Sequence, residues 1–372
     1  MNLTGLALRN LRRRPIRTGL SILGIALAVG GALALMALSR SIQDATREGM
    51  DEIGDDLAVT QKDAPDIFAG FLPADTEGRV AKVAGVVRAA GEMFMFAPSE
   101  KNRQVLTVGW PETSYLWSKI PLREGRVPNA GERKVVVVGD ATADALAKKV
   151  GDQIEVFGDA FTVVGISKYK AIINRGTVIM PLADLQELSY RPNQVTTVHV
   201  NVARDASAAE ITRIRRDIEV LGGVMVSTSS ESLGNDRNFK ILNAVSLAIS
   251  IIALAMGVIY VLNSLVMATQ ERTREIGIVA AIGWSDTRIM TSIVIEGLVM
   301  CAIGCAFGVL LSCFAAFAFP LIPTIGDMIS FQPSLRLMAA TIGAAFLLCA
   351  IGALYPAWRA VSMMPAEALR RA

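Results

Sequence analysis

Residues 18–39 read TGLSILGIALAVGGALALMALS, a run of 22 residues without a charged side chain. At about 1.5 Å of rise per residue, a helix of this length covers the ~30 Å hydrocarbon layer of a bilayer. Three further uncharged apolar runs follow much later, at residues 241–270, 297–326 and 337–358. The pattern predicts a membrane protein with four transmembrane α-helices, one before and three after a large polar block.

The polar block, residues 40–240, has the composition of an ordinary soluble domain. Short apolar runs in it alternate with helical patterns. Lys134 to Gly139 (KVVVVG) is typical of a buried strand, Asp140 to Lys149 of a helix capped by Asp140, and Gly158-Asp159 of a hairpin turn. We therefore expect a large mixed α/β extracytoplasmic domain inserted between transmembrane helices 1 and 2.

Two of the apolar runs are longer than a bilayer requires. Apolar residues continue at helical spacing after the first run as far as Ile53, so helix 1 is predicted to extend outward as a stalk. The run at 241–270 either forms the returning half of that stalk, tilts in the membrane, or starts with a non-helical segment at Asn235 to Phe239.

Positive charges indicate the orientation. Eleven arginines flank the apolar runs in three segments that fall on one side, which the positive-inside rule assigns to the cytoplasm, whereas the polar block carries 25 basic and 28 acidic residues.

The predicted segments are a cytoplasmic amphipathic N-terminal helix at 1–17, transmembrane helices at 18–39, 241–268, 289–319 and 337–358, the outer domain with its stalk at 40–240, a cytoplasmic coupling loop at 269–288, a short outer loop at 320–336 and a cytoplasmic tail at 359–372. The basic ends favour membrane lipids with anionic headgroups, and nothing favours nucleic acid.

Motifs for catalysis or nucleotide binding are missing from the sequence. It has no P-loop, no Gly-x-Ser-x-Gly, no HExxH and no CxxC. The only histidine, His199, lies in the predicted strand Val195 to Val202, and we interpret it as a surface or structural residue rather than a catalytic one. Cys301 and Cys305 share a helix face, but without further ligands we interpret them as small buried apolar residues rather than a metal pair. We expect a non-catalytic chain with no catalytic, cofactor or metal site.

The segment between the second and third apolar runs, residues 269–288, reads TQERTREIGIVAAIGWSDTR. Its apolar residues have helical spacing, Gly283 is a suitable end for that helix, and Ser285 with Asp286 can cap the next one. A short amphipathic helix is therefore expected at the cytoplasmic surface. It would either dock a partner protein or lie on the lipid.

Residues 263–308 resemble the FtsX-like permease domain of MacB-type ABC transporters, whose pattern is Glu-Arg-x-x-Glu-Ile-Gly, then Ala-x-Gly, then a glutamate. The chain ends in a Pro-Ala and Pro-x-x-Ala-Leu-Arg pattern at 356–370 that is also similar to the family, and 136–165 is similar to the MacB-type periplasmic core domain. No ATPase precedes the first apolar run, so the chain resembles split permeases of the LolC/LolE and DevC types. The residues that match the first pattern are Glu271, Arg272, Glu275, Ile276, Gly277, Ala281, Gly283 and Glu296.

The resemblance implies a permease that dimerises with a second copy or a paralogue. A separate cytoplasmic ABC ATPase, which binds ATP and Mg, would dock at Glu275 to Gly283, and its motion would be transmitted to the outer domain. The expected task is to export or extract an amphipathic substrate (lipoprotein, lipid, peptide or drug) at a bacterial inner membrane, with a periplasmic adaptor (membrane fusion protein) or a lipoprotein carrier as a further partner. The alternative is an FtsX-like signalling permease that activates an extracytoplasmic peptidoglycan hydrolase. Gly304 and Gly308 would allow close helix packing, within the subunit or across the dimer.

Overall fold

The computed structural model describes residues 9, 15–64, 69–100, 103–228, 231, 237–318 and 334–362. The predicted segments at 1–17, 320–336 and 359–372 lie largely outside these residues. The described chain forms two compact units. Of the described residues, those up to Arg40 and from Asn243 onward form what we call the helical unit, and those between Ser41 and Leu242 form what we call the sheet unit.

The helices and strands follow in chain order. The helices are α1 (Pro15–Ile53), α2 (Thr76–Val80), α3 (Asp140–Leu146), α4 (Ile172–Arg175), α5 (Leu182–Leu188), α6 (Ala208–Glu219), α7 (Arg237–Glu271), α8 (Thr273–Ala281), α9 (Asp286–Ala318) and α10 (Leu335–Val361). The strands are β1 (Leu57–Gln61), β2 (Leu72–Pro73), β3 (Val86–Ser99), β4 (Arg103–Trp110), β5 (Leu122–Gly125), β6 (Val135–Gly139), β7 (Gln153–Val156), β8 (Asp159–Ser167), β9 (Thr177–Pro181), β10 (Gln194–Val195), β11 (Thr197–Val202) and β12 (Val224–Ser227).

The helical unit contains the apolar helices. Within the described residues, α1, α7, α9 and α10 are long and apolar enough to cross a membrane. Large apolar side chains such as Ile252, Phe314 and Leu347 are exposed on the outside, as expected for helices that face lipid. The inside combines large residues such as Ile25 and Leu33 with many small ones, among them Ala37, Cys301, Cys305, Cys349, Ala353 and Ala357.

The sheet unit is built on one large sheet. Within the described residues, ten strands join in the order β12-β1-β11-β3-β4-β9-β6-β8-β5, and β7 pairs with β3 and β8. Neighbouring strands are antiparallel except for the pairs β4–β9 and β6–β8. Successive residues of a strand point to opposite faces. Accordingly, Val136 and Val138 of β6 belong to one buried core, and Val135 and Val137 belong to another.

This architecture confirms the predicted fold class, four apolar helices with a mixed α/β domain inserted after the first. The predicted strand at Lys134 to Gly139 is found as β6, and the hairpin around Gly158-Asp159 is found as β7 and β8. Helix α1 continues to Ile53, as the stalk prediction required.

Two local predictions were wrong. Asp140 is the first residue of α3 and makes no side-chain cap, because its carboxylate instead accepts hydrogen bonds from Arg175 at 2.9 and 3.1 Å. The single strand predicted at Val195 to Val202 is divided into β10 and β11, because Thr196 turns its amide to the Glu92 carbonyl at 2.8 Å. Of the alternatives for the run at 241–270, a non-helical start at Asn235 to Phe239 does not hold for residues 237–239, because α7 already begins at Arg237; residues 235 and 236 lie outside the described residues.

Candidate functional site

The predicted coupling residues lie in and around α8, which is connected to α7 through Arg272. The backbone of Arg272 leaves the helical conformation at φ −107° and ψ 17°, so one helix ends and the next begins there. Its guanidinium donates hydrogen bonds from Nε to Glu275 Oε2 and from Nη1 to Glu296 Oε2, both at 3.2 Å. Because Glu296 belongs to α9 and is buried, Arg272 joins the start of α8 to the neighbouring helix.

A second ion pair lies at the end of α7. Arg17 of α1 donates from Nη1 and Nη2 to the two carboxylate oxygens of Glu271, at 2.8 and 2.6 Å. A bidentate pair of this kind fixes the mutual orientation of the two side chains as well as their distance. Arginine–glutamate pairs thus connect α7 to α1, and they connect the start of α8 to α9.

The two sides of α8 differ in exposure. Gly277 is buried and Ile276 packs against the core of the helical unit, so these two predicted site residues face inward. Glu275 is exposed on the outward side, opposite Ile276 and Gly277, whereas Ala281 is exposed but lies closer to Gly277 around the helix axis. The inward residues pack the helix against the rest of the helical unit.

Sequence reasoning missed two residues on the outward side. Ile278 is 43% exposed and Ile282 is 76% exposed. With Glu275 they follow the i, i+3, i+7 spacing of one helix face. That spacing is readable in the sequence and could have found them, whereas the family motif directed attention to Ile276.

Gly283 ends α8 in the manner predicted. Its φ of +103° favours glycine, and its amide donates to the Ala280 carbonyl at 3.0 Å. The Trp284 amide donates to the Val279 carbonyl at 3.2 Å, which completes a Schellman motif. The Trp284 ring packs against the core of the helical unit, with the Arg288 guanidinium 4.6 Å from its centre. The C-terminal end of α8 is therefore as well defined as its beginning.

The predicted packing glycines lie against α1 of the same chain. A Cβ atom on Gly304 would come 2.5 Å from Ile25 Cγ2, and one on Gly308 would come 3.0 Å from the Ala26 carbonyl oxygen. The first distance is shorter than Cβ atoms show, and the second would require α1 to shift by a few tenths of an ångström. In the structure, these positions serve the close approach of α9 to α1.

The only histidine lies in the sheet unit and is buried, so it is not a surface residue. His199 Nδ1 hydrogen-bonds to Asp55, and Nε2 lies 3.3 Å from Glu92 Oε1 without hydrogen-bond geometry. Trp110 Nε1 donates to the other Glu92 oxygen at 2.5 Å. Burial opposes protonation of the imidazole, but the charges of Glu92 and Asp55 outweigh it and raise the pKa of His199 to about 10. A histidine that stays protonated between two carboxylates is a structural ion pair and no general base at neutral pH.

Comparison with known proteins places both parts of the chain. Residues 18–216 match the model of the MacB-like periplasmic core domain, and residues 247–365 match the FtsX-like permease C-terminal model. The macrolide export ATP-binding/permease protein MacB of Nitrobacter winogradskyi is 25% identical over 96% of this chain and 58% of its own length. An uncharacterized ABC transporter permease of Mycobacterium tuberculosis is 26% identical over 86% of this chain and 88% of its own length.

Among solved structures, the periplasmic region of MacB from Actinobacillus actinomycetemcomitans aligns with 49% of this chain and 94% of its own length, at 11% identity and a TM-score of 0.39. The chain spans about three fifths of the length of the MacB relatives that it matches. The core-domain model alone matches more than half of the chain. The chain therefore belongs to the MacB-type family of ABC transporter permeases, which combine a MacB-like periplasmic core domain with an FtsX-like permease domain.

Proposed function

We propose that this chain is a permease subunit that docks a separate cytoplasmic ABC ATPase on the outward side of α8 and transmits its motion to the sheet unit. The observation that carries the proposal is the exposed pair Ile278 and Ile282, on a helix whose opposite side packs against the rest of the helical unit. An apolar pair flanked by Glu275 suits a helix that lies in a groove of a partner protein. ATP and Mg would be bound by that ATPase.

Force transmission requires that α8 does not move independently of the long helices. The pair between Arg272 and Glu296 supports this requirement, because it joins α8 to α9 through a buried carboxylate. Helix α1 supports it as well, because the helical unit and the sheet unit both contain part of this one helix. ATP-driven movement of α8 would therefore reach the sheet unit through the helices rather than through a substrate path between them.

The uncharged runs support the same mechanism. Ionisable residues within transmembrane segments commonly mark an ion or substrate path. Apart from Glu296 near one end of the predicted span 289–319, the four predicted spans carry no charged residue, and the structure pairs Glu296 with Arg272. A substrate that is handled by the sheet unit and never crosses between the helices is consistent with this distribution.

The proposed task is to export or extract an amphipathic substrate, such as a lipoprotein, lipid, peptide or drug, at a bacterial inner membrane. A dimer with a second copy or a paralogue, and an adaptor or lipoprotein carrier outside, belong to this proposal. The alternative of an FtsX-like signalling permease is not favoured, because the relatives that align with nearly the whole chain are MacB export proteins. We expect the chain to be a non-catalytic membrane subunit, in keeping with its match to a permease domain.

Copurification of the ATPase tests the proposal. Ile282→Arg should lower ATPase recovery in mild detergent, and the stimulation of its activity, by about 30-fold, since a central apolar contact contributes ~2 kcal/mol or more to an interface. Val220→Arg is the matched control, because Val220 is 79% exposed but lies in the sheet unit. Equal recovery and stimulation for both variants would contradict the docking assignment.

A further inference from the structure

The sheet unit contains a cavity between the end of α1 and one face of the sheet. Its volume is ≈ 90 Å³, the same order as the cavity of about 150 Å³ that holds benzene in another protein. The lining is mostly apolar, with Glu92, Tyr169 and Asn174 among its polar residues. The apolar residues in it include Met50, Ile53, Phe94, Val108, Trp110 and Ile179.

One polar side chain of the lining makes no hydrogen bond within the described residues. Tyr169 lines the cavity and is only 8% exposed, and its hydroxyl has no hydrogen-bond partner among the residues that the structure describes. Burial and the charges of Glu52 and Glu92 raise the pKa of Tyr169, so the hydroxyl is neutral and able to donate. A hydroxyl that makes no hydrogen bond within the described residues can donate one to a ligand in the cavity.

The charges around the cavity select against an anion. Glu92 lines it, and Glu52 lies close enough to affect Tyr169. Glu92 is already compensated by His199, and Glu52 accepts hydrogen bonds from the Lys170 and Ala171 amides at 2.6 and 3.0 Å. A ligand carboxylate or phosphate would meet these two negative groups with no free cation beside them in the described lining, whereas a neutral ligand meets no such penalty.

We propose that this cavity is a binding site for a neutral molecule with a short alkyl chain and one hydroxyl group. The chain lies between α1 and the sheet, against Phe94, Val108 and Trp110, and the hydroxyl accepts a hydrogen bond from Tyr169. Binding needs no ATPase and no second copy. The site therefore goes beyond the proposed function, and neither proposal depends on the other.

The test uses two probes of the same length, hexanol and hexane that each carry bromine on the terminal carbon. Bromine quenches tryptophan fluorescence on contact, and Trp110 lines the cavity. The full-length protein with Trp284→Phe and Trp358→Phe retains Trp110 and Trp117, which are both in the sheet unit with ring centres 5.1 Å apart. Saturable quenching by bromohexanol is the expected result.

Three substitutions in this background complete the test. Tyr169→Phe should weaken bromohexanol about 3- to 10-fold and leave bromohexane within about 2-fold, because only the alcohol loses a hydrogen bond. Val108→Phe should fill the cavity and abolish saturable quenching by both probes, whereas Val87→Phe, at a position 60% exposed, should change neither. Non-saturable quenching in the parent protein, or an equal loss of both probes in Tyr169→Phe, would overturn the proposal. These outcomes leave ATPase docking at α8 untouched.

Discussion

The helical unit and the sheet unit place their charged pairs in opposite surroundings. In the helical unit, Arg17 and Arg272 lie at the helix ends, and their side chains are 23% and 28% exposed. In the sheet unit, His199 lies in the interior between Asp55 and Glu92, and all three side chains are 9% exposed or less. The first arrangement orients helices that lipid surrounds, and the second joins the end of α1 to the middle of the sheet.

The comparison shows what each unit requires for stability. Apolar side chains of the helical unit already face lipid, so close packing of small residues holds its helices together. The sheet unit buries its apolar residues from water, and a buried ion pair is tolerated there because each charge has a partner. Substitutions should therefore act through charge in the sheet unit and through volume in the helical unit.

The largest expected effect is at Asp55. Asp55→Ala should lower the free energy of unfolding of the sheet unit by about 3–5 kcal/mol, because protonated His199 loses the partner at Nδ1 while remaining buried. Asp159→Ala is the control, since Asp159 makes an exposed pair with Lys134 at 3.5 Å, worth at most about 1 kcal/mol. Urea unfolding followed by Trp110 and Trp117 fluorescence measures both. Similar losses in the two variants would mean that the buried cluster has no special role.

The second expected effect is on pH dependence. His199 has a folded pKa of about 10 against 6.5 for the free side chain, so the folded state binds the proton more tightly. Its stabilisation is complete below pH 6.5 and is lost as the pH rises towards 10, with a slope of at most about 1.4 kcal/mol per pH unit. His199→Gln should flatten this decline in urea unfolding between these pH values. A decline of the same slope in the variant would assign it to other groups.

The smallest of the three effects concerns the helical unit. Gly304→Ala should destabilise it by about 1–3 kcal/mol, because the new methyl group overlaps Ile25 of α1. Gly343→Ala in α10 is the control, since a Cβ there meets no atom within 4 Å, and it should be neutral or stabilising. Thermal unfolding in mild detergent compares the two variants. Equal melting temperatures would contradict the claim that side-chain volume at the contact of α9 with α1 determines stability.

The two units also differed in how far the sequence predicted them. Uncharged runs of 22 or more residues identify the long helices without any tertiary information. The strands and the hairpin around Gly158-Asp159 follow from local alternation and turn residues. The Asp140 cap was predicted wrongly because the Asp140 carboxylate accepts hydrogen bonds from Arg175, which lies 35 residues later in the chain. A local sequence pattern does not predict such a contact.

The candidate sites show the same limit. The residues around α8 can be predicted from a sequence motif, and helical spacing predicts which of them lie on the same face of the helix. In contrast, Asp55, Glu92 and His199 come from three distant parts of the chain, and only the pairing of β11 with β3 brings His199 opposite Ala90 and near Glu92. The cavity beside Tyr169 depends on how the end of α1 packs on the sheet, which no sequence pattern describes.

Photo-crosslinking from position 282 tests the central claim most directly. A benzophenone side chain at Ile282, activated in native membranes, should attach to a protein with a P-loop, identified by mass spectrometry, whereas the same group at the exposed Ile252 of α7 should attach only to lipid or to another permease. Lipid adducts alone at position 282 would mean that α8 lies on the membrane surface, and that the chain is not driven by an ATPase docked there.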